Sequence, residues 1–440
     1  MQTKPDRKYA IFFAALIVAV LAMFAFFSMR DSDKNNGAKP PETETPSNIS
    51  NILDNYISTE RTEQTELPEI TDITEITDTA ESENIPEPEE KEIRIRFTGT
   101  GDNVVHECLW MDAQRRALPD GREYNFKPMF ADAADIIASA DIAFINQETP
   151  MAGSDYALAG YPLFNSPQDL GHDLAELGFD VINIANNHML DKGEKGLVNT
   201  IDFLRSLPPL VIGDYLNRDE LYDIKIIERN GIKTAFLAYT YSTNGLALPA
   251  GSEVIIPYID DGLIVSQIEK AKEISDAVIV SVHWGEEDSF NPTTNQKRLA
   301  QLMADHGVLA IIGHHPHVLQ PVEWLEGIGG NKTLCVYSLG NLASGMIRPM
   351  NMVGGFISFD IVKRIETGEN QNRIIIENPV FTPTIYYYGS GWLNGHVYLL
   401  KDYTPELAKS HGTFTRHGYS RTVEDLWGYV TRNISGEFLE

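Results

Sequence analysis

Residues 308–323 read VLAIIGHHPHVLQPVE. The apolar run Val308–Ile312 reads as a buried strand, and Gly313 closes it. Three of the chain's 11 histidines then fall within four positions, His314, His315 and His317, with Pro316 between the last two. A solvated loop has no need of so many imidazoles, and a packed core rarely tolerates them. The stretch sets titratable nitrogen where a strand gives way to a loop. In layered α/β folds that edge is where ligands bind.

The same strand-to-loop pattern recurs on both sides of it. EIRIRFTGT alternates like a strand and ends at Gly101-Asp102, FKPMFADAADIIASAD has the period of an amphipathic helix, and IAFINQE reads as a buried strand. DLGHDLAELG is a helix closed by Gly178 ahead of the strand DVINIAN, and the helix EKGLVNTIDFLRSL precedes a short strand in LPPLVIG. IKIIERNGIKTAFLAYT predicts a hairpin turning at Asn230-Gly231. The helix IVSQIEKAKEISD leads into the strand AVIVSVHWG, and NQKRLAQLMADHG into VLAIIG. Strands then predominate, in TLCVYSLGN, GGFISFDIVKR, RIIIENPVFTPTIYYY and HVYLL. Alternating strands and helices followed by a strand-rich part predict an α/β domain with two sheets packed between helices.

Reading only the ends of the strands gives Asp102, Glu148, Asn187-His188, His283 and the histidine triplet. Singly, each has an ordinary explanation as a turn residue, a solvated carboxylate, an Asx turn or a half-buried ring. Together they form a mixed oxygen and nitrogen set that suits Mn, Fe or Zn better than Ca or Mg. In such sites one carboxylate can bridge two ions about 3.5–4 Å apart.

The segments GTGDN, NQETP, NIANNHMLDKGEKGL, VHWGEE, IIGHHPHVLQPVE and YSLGN, in this order, resemble the bacterial CapA (PGA_cap) family associated with poly-γ-glutamate production. The resemblance covers about residues 93–345 and extends to the calcineurin-like metallophosphoesterases. It implies a four-layer sandwich of two sheets flanked by helices and a site with one or two divalent ions. Asp102, Glu148, Asn187, His283, His315 and His317 match metal ligands of that superfamily, and His188 matches its catalytic histidine. His315 and His317 are expected on one side, with His314 turned away or touching ligands or substrate. Asn103, His106, Asp191, Glu286, Glu287 and Glu323 are further candidates to orient ligands or meet substrate. The chain departs from the pattern at Val104, where the superfamily has an imidazole, and at Glu148, where it has an aspartate.

Before this domain the composition changes twice. Residues 9–29 carry no charge over 21 positions and follow Lys4, Arg7 and Lys8. That length spans a bilayer core of about 30 Å, and the basic flank predicts a cytoplasmic N-terminus with the remainder outside. A cleaved signal peptide is the rival reading, but no A-x-A site or lipobox cysteine follows the run. Between positions 31 and 90 there are 17 Asp and Glu against 3 Lys and Arg, half of the chain's net charge of −28. Such a segment buries too little to fold and reads as an extended tether. The expected organisation is a cytoplasmic flank and signal anchor in 1–30, an acidic linker in 31–91, and the catalytic-type domain in 92–440. The product is a single-pass membrane protein whose domain is extracellular.

The acidic balance excludes a nucleic-acid partner, which wants a basic footprint. Two cysteines, Cys108 in an expected loop and Cys335 in a strand, make no disulfide framework. Two functions stay open: a metal-dependent hydrolase or transferase acting on phosphoester or amide bonds, and a non-catalytic accessory of a polyglutamate synthase complex. An anionic polymer would be repelled by the tether and would have to be met by metal or local cations.

Overall fold

The computed structural model describes residues 91–439 apart from 118, 120 and 366–371. The expected membrane span and tether lie outside the described residues. No described helix is long and apolar enough to cross a membrane.

The strands, in chain order, are β1 (Lys91–Val104), β2 (Ile142–Gln147), β3 (Val181–Asn183), β4 (Leu210–Ile212), β5 (Lys225–Arg229), β6 (Ile232–Thr240) and β7 (Ala277–His283). They continue with β8 (Ala310–His314), β9 (Leu319–Glu326), β10 (Lys332–Leu339), β11 (Asn341–Ser344), β12 (Val353–Ile365), β13 (Arg373–Tyr387) and β14 (His396–Leu399). One sheet runs β14-β13-β12-β1-β2-β3-β4 with β11 beside β1, and the other runs β5-β6-β7-β8-β10-β9. At the heart of each sheet the strands are parallel, β1 to β4 in the first and β6-β7-β8-β10 in the second. Their C-terminal ends therefore gather at one edge.

Alternation along the strands builds the layers. On β6 and β7, Ala235, Leu237, Tyr239, Val278, Val280 and Val282 join Ile264, Ile268, Leu299 and Met303 of two covering helices. The intervening Phe236, Ala238 and Ile279 join a core shared with Phe97, Phe144 and Phe359 of the first sheet. A strand with apolar residues on both faces must be covered on both, and this is what sandwiches the sheets. The covering helices Asp261–Ile274 and Thr294–Asp305 begin at side-chain caps, Asp260 accepting from Leu263 N–H, and Thr293 with Gln296 forming a capping box. The hairpin turns at Asn230 and Gly231, both with positive φ.

Three local readings are corrected. The segment after Phe126 is not one helix but a 3₁₀ stretch Lys127–Ala133 followed by a short α-turn Ala134–Ala138, opened by Pro128, which has no N–H to give. Cys108 lies in the helix Glu107–Arg115 rather than a loop. The strand-rich end also carries helices Pro405–Ser410, Gly412–Arg416 and Val423–Asn433. Both cysteines are free thiols.

Gly313 shows how tightly the exit of β8 is fitted. A Cβ there would stand 2.1 Å from the Tyr337 carbonyl oxygen and 2.6 Å from Trp284 Nε1. Gly313→Ala is therefore expected to cost about 3 kcal/mol or more of stability. Urea unfolding checks this, and a variant within about 0.5 kcal/mol of wild type would show that the backbone yields there.

Candidate metal centre

Both sheets deliver polar side chains to the shared edge. Asp102 and Asn103 stand just before the end of β1, Glu148 follows β2, and Asn186-Asn187-His188 follow β3. From the other sheet come His283, at the end of β7, and His314 to His317, running out of β8. His283 and His314 are direct neighbours in the ladder, as are Asp102 and Asn341. The six residues matched to metal ligands thus come from strand ends, and the loops that follow them, in two sheets. All but one of them, Asn187, also appear in the two compact ligand groups: Glu148, His315 and His317, and Asp102, Glu148 and His283. Within each group one ligand atom per residue lies within 4.8 Å of the others.

The histidine loop is bent to achieve this. His315 and His317 both take left-handed backbone, with φ of 97° and 55°. For residues with a Cβ that conformation costs on the order of 1–3 kcal/mol each, a cost that persists only where the surroundings enforce it. The bends bring the His315 ring to 4.9 Å from that of His283 and 5.8 Å from that of His317.

Glu148 is the most exacting member. It is 1% exposed, and neither carboxylate oxygen has a hydrogen-bond partner among the described residues. Its Oε1 stands 3.6 Å from both His283 Nε2 and His317 Nε2. A buried carboxylate without donors is strongly disfavoured unless a cation meets it. Nδ1 of His315 is likewise buried and without a partner. Asn187 turns its Oδ1 toward His283 Nε2 at 3.0 Å, while its amide donates to Asn244 Oδ1 at 3.3 Å. This oxygen and nitrogen donor set fits a divalent transition ion.

Charge in the cluster is tightly coupled. Burial pushes the Glu148 carboxyl well above its usual range, with His317 working against it. Burial also opposes charge on His317, but Glu148 and Asp102 outweigh it and carry that imidazole up to about 10. For Asp102, burial again works upward, but hydrogen bonds to His314 and His317 hold the carboxyl well below the usual range. Burial, then the neighbouring imidazoles, press His283 well below its ordinary value and His315 down to about 3.

Beside the cluster, His188 Nδ1 lies 2.8 Å from Asp191 Oδ2, which also accepts from Phe164 N–H at 2.7 Å. The Phe164 ring stands edge-on to His188 at 4.7 Å. Asn186 caps the same turn, its Oδ1 accepting from His188 N–H. Asn103 donates to Gln147, with its own Oδ1 buried and unpartnered. His314 does not turn away from the site but faces Asp102 Oδ1 at 3.1 Å. His106 has its Nδ1 taken by Gly345 N–H at 3.1 Å.

The remaining acidic candidates divide. Glu287 is exposed, and its charge acts on Glu148, His317 and Tyr241. Glu286 is exposed, and only its backbone carbonyl makes a described contact, with Ser289 N–H. Glu323 is not at the site. It pairs with Cys335 across β9 and β10, and its charge acts on Cys335 and Tyr337, which face the outer core of the second sheet.

Sequence reasoning passed over several residues. Asn146 donates to Asp102 Oδ1 at 2.8 Å, Asn183 donates to Asn146 at 2.8 Å, and Asn341 Oδ1 faces His317 Nδ1 at 3.0 Å. Their signal was an asparagine inside an otherwise apolar strand. Tyr241, 42% exposed, lays its ring 4.5 Å from that of His315, and Asn244 orients Asn187. Neither falls in a periodic segment.

Comparison with known proteins places this geometry in context. The family model described as bacterial capsule synthesis protein PGA_cap matches residues 96–346, more than half of the chain. The PGA biosynthesis protein CapA of Bacillus subtilis (strain 168) is 36% identical over 170 residues, covering 38% of this chain and 43% of that protein. The capsule biosynthesis protein CapA of Bacillus anthracis is 36% identical over 171 residues, covering 38% and 40%. A probable polyglutamine synthesis accessory protein of Mycobacterium tuberculosis is 27% identical over 208 residues, covering 43% and 53%. The chain thus spans about half or less of the length of these relatives. Among solved structures it is similar to the NAD nucleotidase of Haemophilus influenzae, with 12% identity, a TM-score of 0.41 and coverage of 80% and 57%. It is also similar to a 5'-nucleotidase precursor of Thermus thermophilus, with 15% identity, a TM-score of 0.41 and coverage of 77% and 59%.

Proposed function

The chain belongs to the bacterial capsule synthesis protein PGA_cap family, and we propose that it is a membrane-anchored, extracellular protein of poly-γ-glutamate capsule or exopolymer synthesis with a metal-dependent hydrolase-type site. The observation that carries the site is Glu148, a buried carboxylate with both oxygens unpartnered amid three imidazoles. Glu148, His283, His315 and His317 would hold the metal, with Asn187 Oδ1 turned toward it. When bound, such an ion polarises a phosphoryl or carbonyl oxygen and makes water a better nucleophile at neutral pH. The calcineurin-like sandwich of four layers is part of the same reading, supported by two sheets with helices outside them.

The protein's own groups supply the rest. Asp191 is acceptor-only when ionised, so His188 presents Nδ1–H to it and leaves Nε2 free. That nitrogen, carrying the lone pair, is placed to take a proton from a water or hydroxyl at the substrate. Tyr241 and Glu287 border the site, and Glu287 disfavours an anionic group on its side. The anchor rests on residues 9–29 and the basic flank before them.

A second reading is favoured by one departure. Val104 stands where the superfamily has an imidazole, and a centre lacking that ligand can bind metal as an accessory without turnover. Metal analysis of the full chain purified in detergent, with hydrolysis of a generic phosphodiester and of poly-γ-glutamate, separates the two. Bound transition metal with turnover that chelation abolishes is the expected result. Metal with no turnover on either substrate supports the accessory, and no metal under any loading sinks the site. On intact cells, added protease should release the domain, and a fully protected chain would remove the anchoring half of the proposal.

A further inference from the structure

We infer that the centre takes a single ion, with Asp102 anchoring the histidine loop instead of binding the metal. The inference deepens the metal-site reading above and rests on it.

Asp102 is fully buried, and polar groups of the protein face both of its oxygens. Its Oδ1 accepts from Asn146 Nδ2 at 2.8 Å and faces His314 Nδ1 at 3.1 Å. Its Oδ2 accepts from the backbone N–H of His315 at 3.1 Å and faces His317 Nδ1 at 3.2 Å. A carboxylate offers about four acceptor positions; three are met by hydrogen-bonding groups, and the fourth faces the His317 Nδ1 that Asn341 shares.

Amide orientations settle that Asn146 is a donor. Ala185 N–H can only donate, and it does so to Asn183 Oδ1 at 3.0 Å. Asn183 must then donate through Nδ2 to Asn146 Oδ1, which leaves Asn146 its NH₂ to face Asp102. Asn341 is fixed in the same way, because its Nδ2 donates to the Asn351 carbonyl at 3.0 Å and its Oδ1 therefore faces His317 Nδ1. Two acceptors, Asp102 and Asn341, thus meet Nδ1 of His317 and put the proton there. The nitrogen left to face a metal is Nε2, 3.6 Å from Glu148. An imidazole that binds metal through one nitrogen and gives its other N–H to a carboxylate is the arrangement by which outer groups orient ligands.

Asp102 and Glu148 therefore differ in kind. One carboxylate has protein partners at both oxygens and the other has none among the described residues. A second ion near Asp102, Glu148 and His283 would have to displace donors from Asp102. It would also find Val104, 3% exposed, where an imidazole is needed. His106 offers no replacement through Nδ1, which the backbone of Gly345 occupies.

The test is stoichiometry. The full chain, stripped with chelator and dialysed, is titrated with Zn²⁺ or Mn²⁺ by calorimetry, and metal per chain is counted by plasma mass spectrometry. One ion per chain is expected. Asp102→Asn should keep that ion with affinity lowered on the order of 10–100-fold, the usual effect of losing an outer partner, whereas Glu148→Gln should lose it. Two ions per chain in the wild-type protein overturn the inference and leave the metal-site reading standing. No ion overturns both. Loss of the ion from a folded Asp102→Asn overturns the anchoring role. If that variant fails to fold, Asn146→Ala, which removes a donor from Asp102 and no ligand, should weaken the ion's binding in the same way. An unchanged affinity there overturns the anchoring role.

Discussion

Changing Glu148 to glutamine should empty the centre of metal and at the same time leave the metal-free protein as stable as wild type or more so. Both effects follow from one geometry. Glutamine keeps the shape of the side chain but cannot ionise, so the ion loses its anionic ligand. The metal-free fold gives up a carboxyl whose burial disfavours its charge and whose oxygens have no donor among the described residues. A group of that kind costs the metal-free fold on the order of 1–3 kcal/mol. The wild-type protein instead gains from its ligand, by about 4 kcal/mol when free metal stands at 1,000 times the dissociation constant. Thermal melts with and without metal should therefore show a large upward shift for wild type and none for Glu148→Gln. An equal shift in both proteins would remove Glu148 from the metal site.

Protonation gives the same site a second readout. Glu148 and Asp102 carry His317 to about 10 against the pull of burial. A group raised in this way binds its proton more tightly folded than unfolded. Its contribution to the metal-free protein is complete below the ordinary histidine value of 6.5 and is lost as pH climbs through about 10. Burial raises Glu148 in the same sense. The metal-free centre therefore holds a proton at neutral pH, and a metal ion has to displace it. Calorimetry in two buffers of different ionisation enthalpy should register about one proton released per ion near pH 7. The glutamine variant should register none.

What could be read in the sequence were the features that repeat. Parallel strands declare themselves as apolar runs, and their C-terminal residues, Asp102, Glu148, Asn187, His283 and the histidine triplet, stand at the changes of composition. Orientation across strands was harder to read. Asn146, Asn183 and Asn341 look like blemishes in apolar strands until the ladder sets Asp102 beside Asn146 and Asn341, and Asn146 beside Asn183. Glu323 was placed near the site because it follows the histidines closely, but its position in β9, opposite Cys335, sends it to the outer core. The helix Glu107–Arg115 escaped because its buried positions include Asp112. That aspartate accepts from the backbone N–H groups of Asn394 and Gly395, far away in sequence. His314 was expected to turn away or touch the ligands. It turns inward to Asp102, because the bends that redirect the loop come at the following residues, His315 and His317.

Changing His188 to alanine should lower turnover by a factor of about 10²–10⁴, the usual contribution of a positioned general acid or base, with metal content unchanged. The geometry separates this histidine from the ligand histidines. Its Nδ1 is held 2.8 Å from Asp191, and Asp191 is held in turn by Phe164 N–H, so the ring has one tautomer and one orientation. Phe164, edge-on at 4.7 Å, closes one side and keeps the ring from swinging. Asp191→Leu tests the tautomer directly. It fills a similar volume but removes Oδ2, the one oxygen that accepts from Phe164 N–H and faces His188 Nδ1. The ring then loses the acceptor that keeps its proton on Nδ1 and its lone pair on Nε2, and turnover should fall nearly as far as in His188→Ala. A role in packing alone predicts otherwise: Asp191→Leu would keep its activity, since it fills a similar space. If both variants lost metal along with activity, His188 would belong among the ligands. If both kept full turnover, another group would have to take the proton.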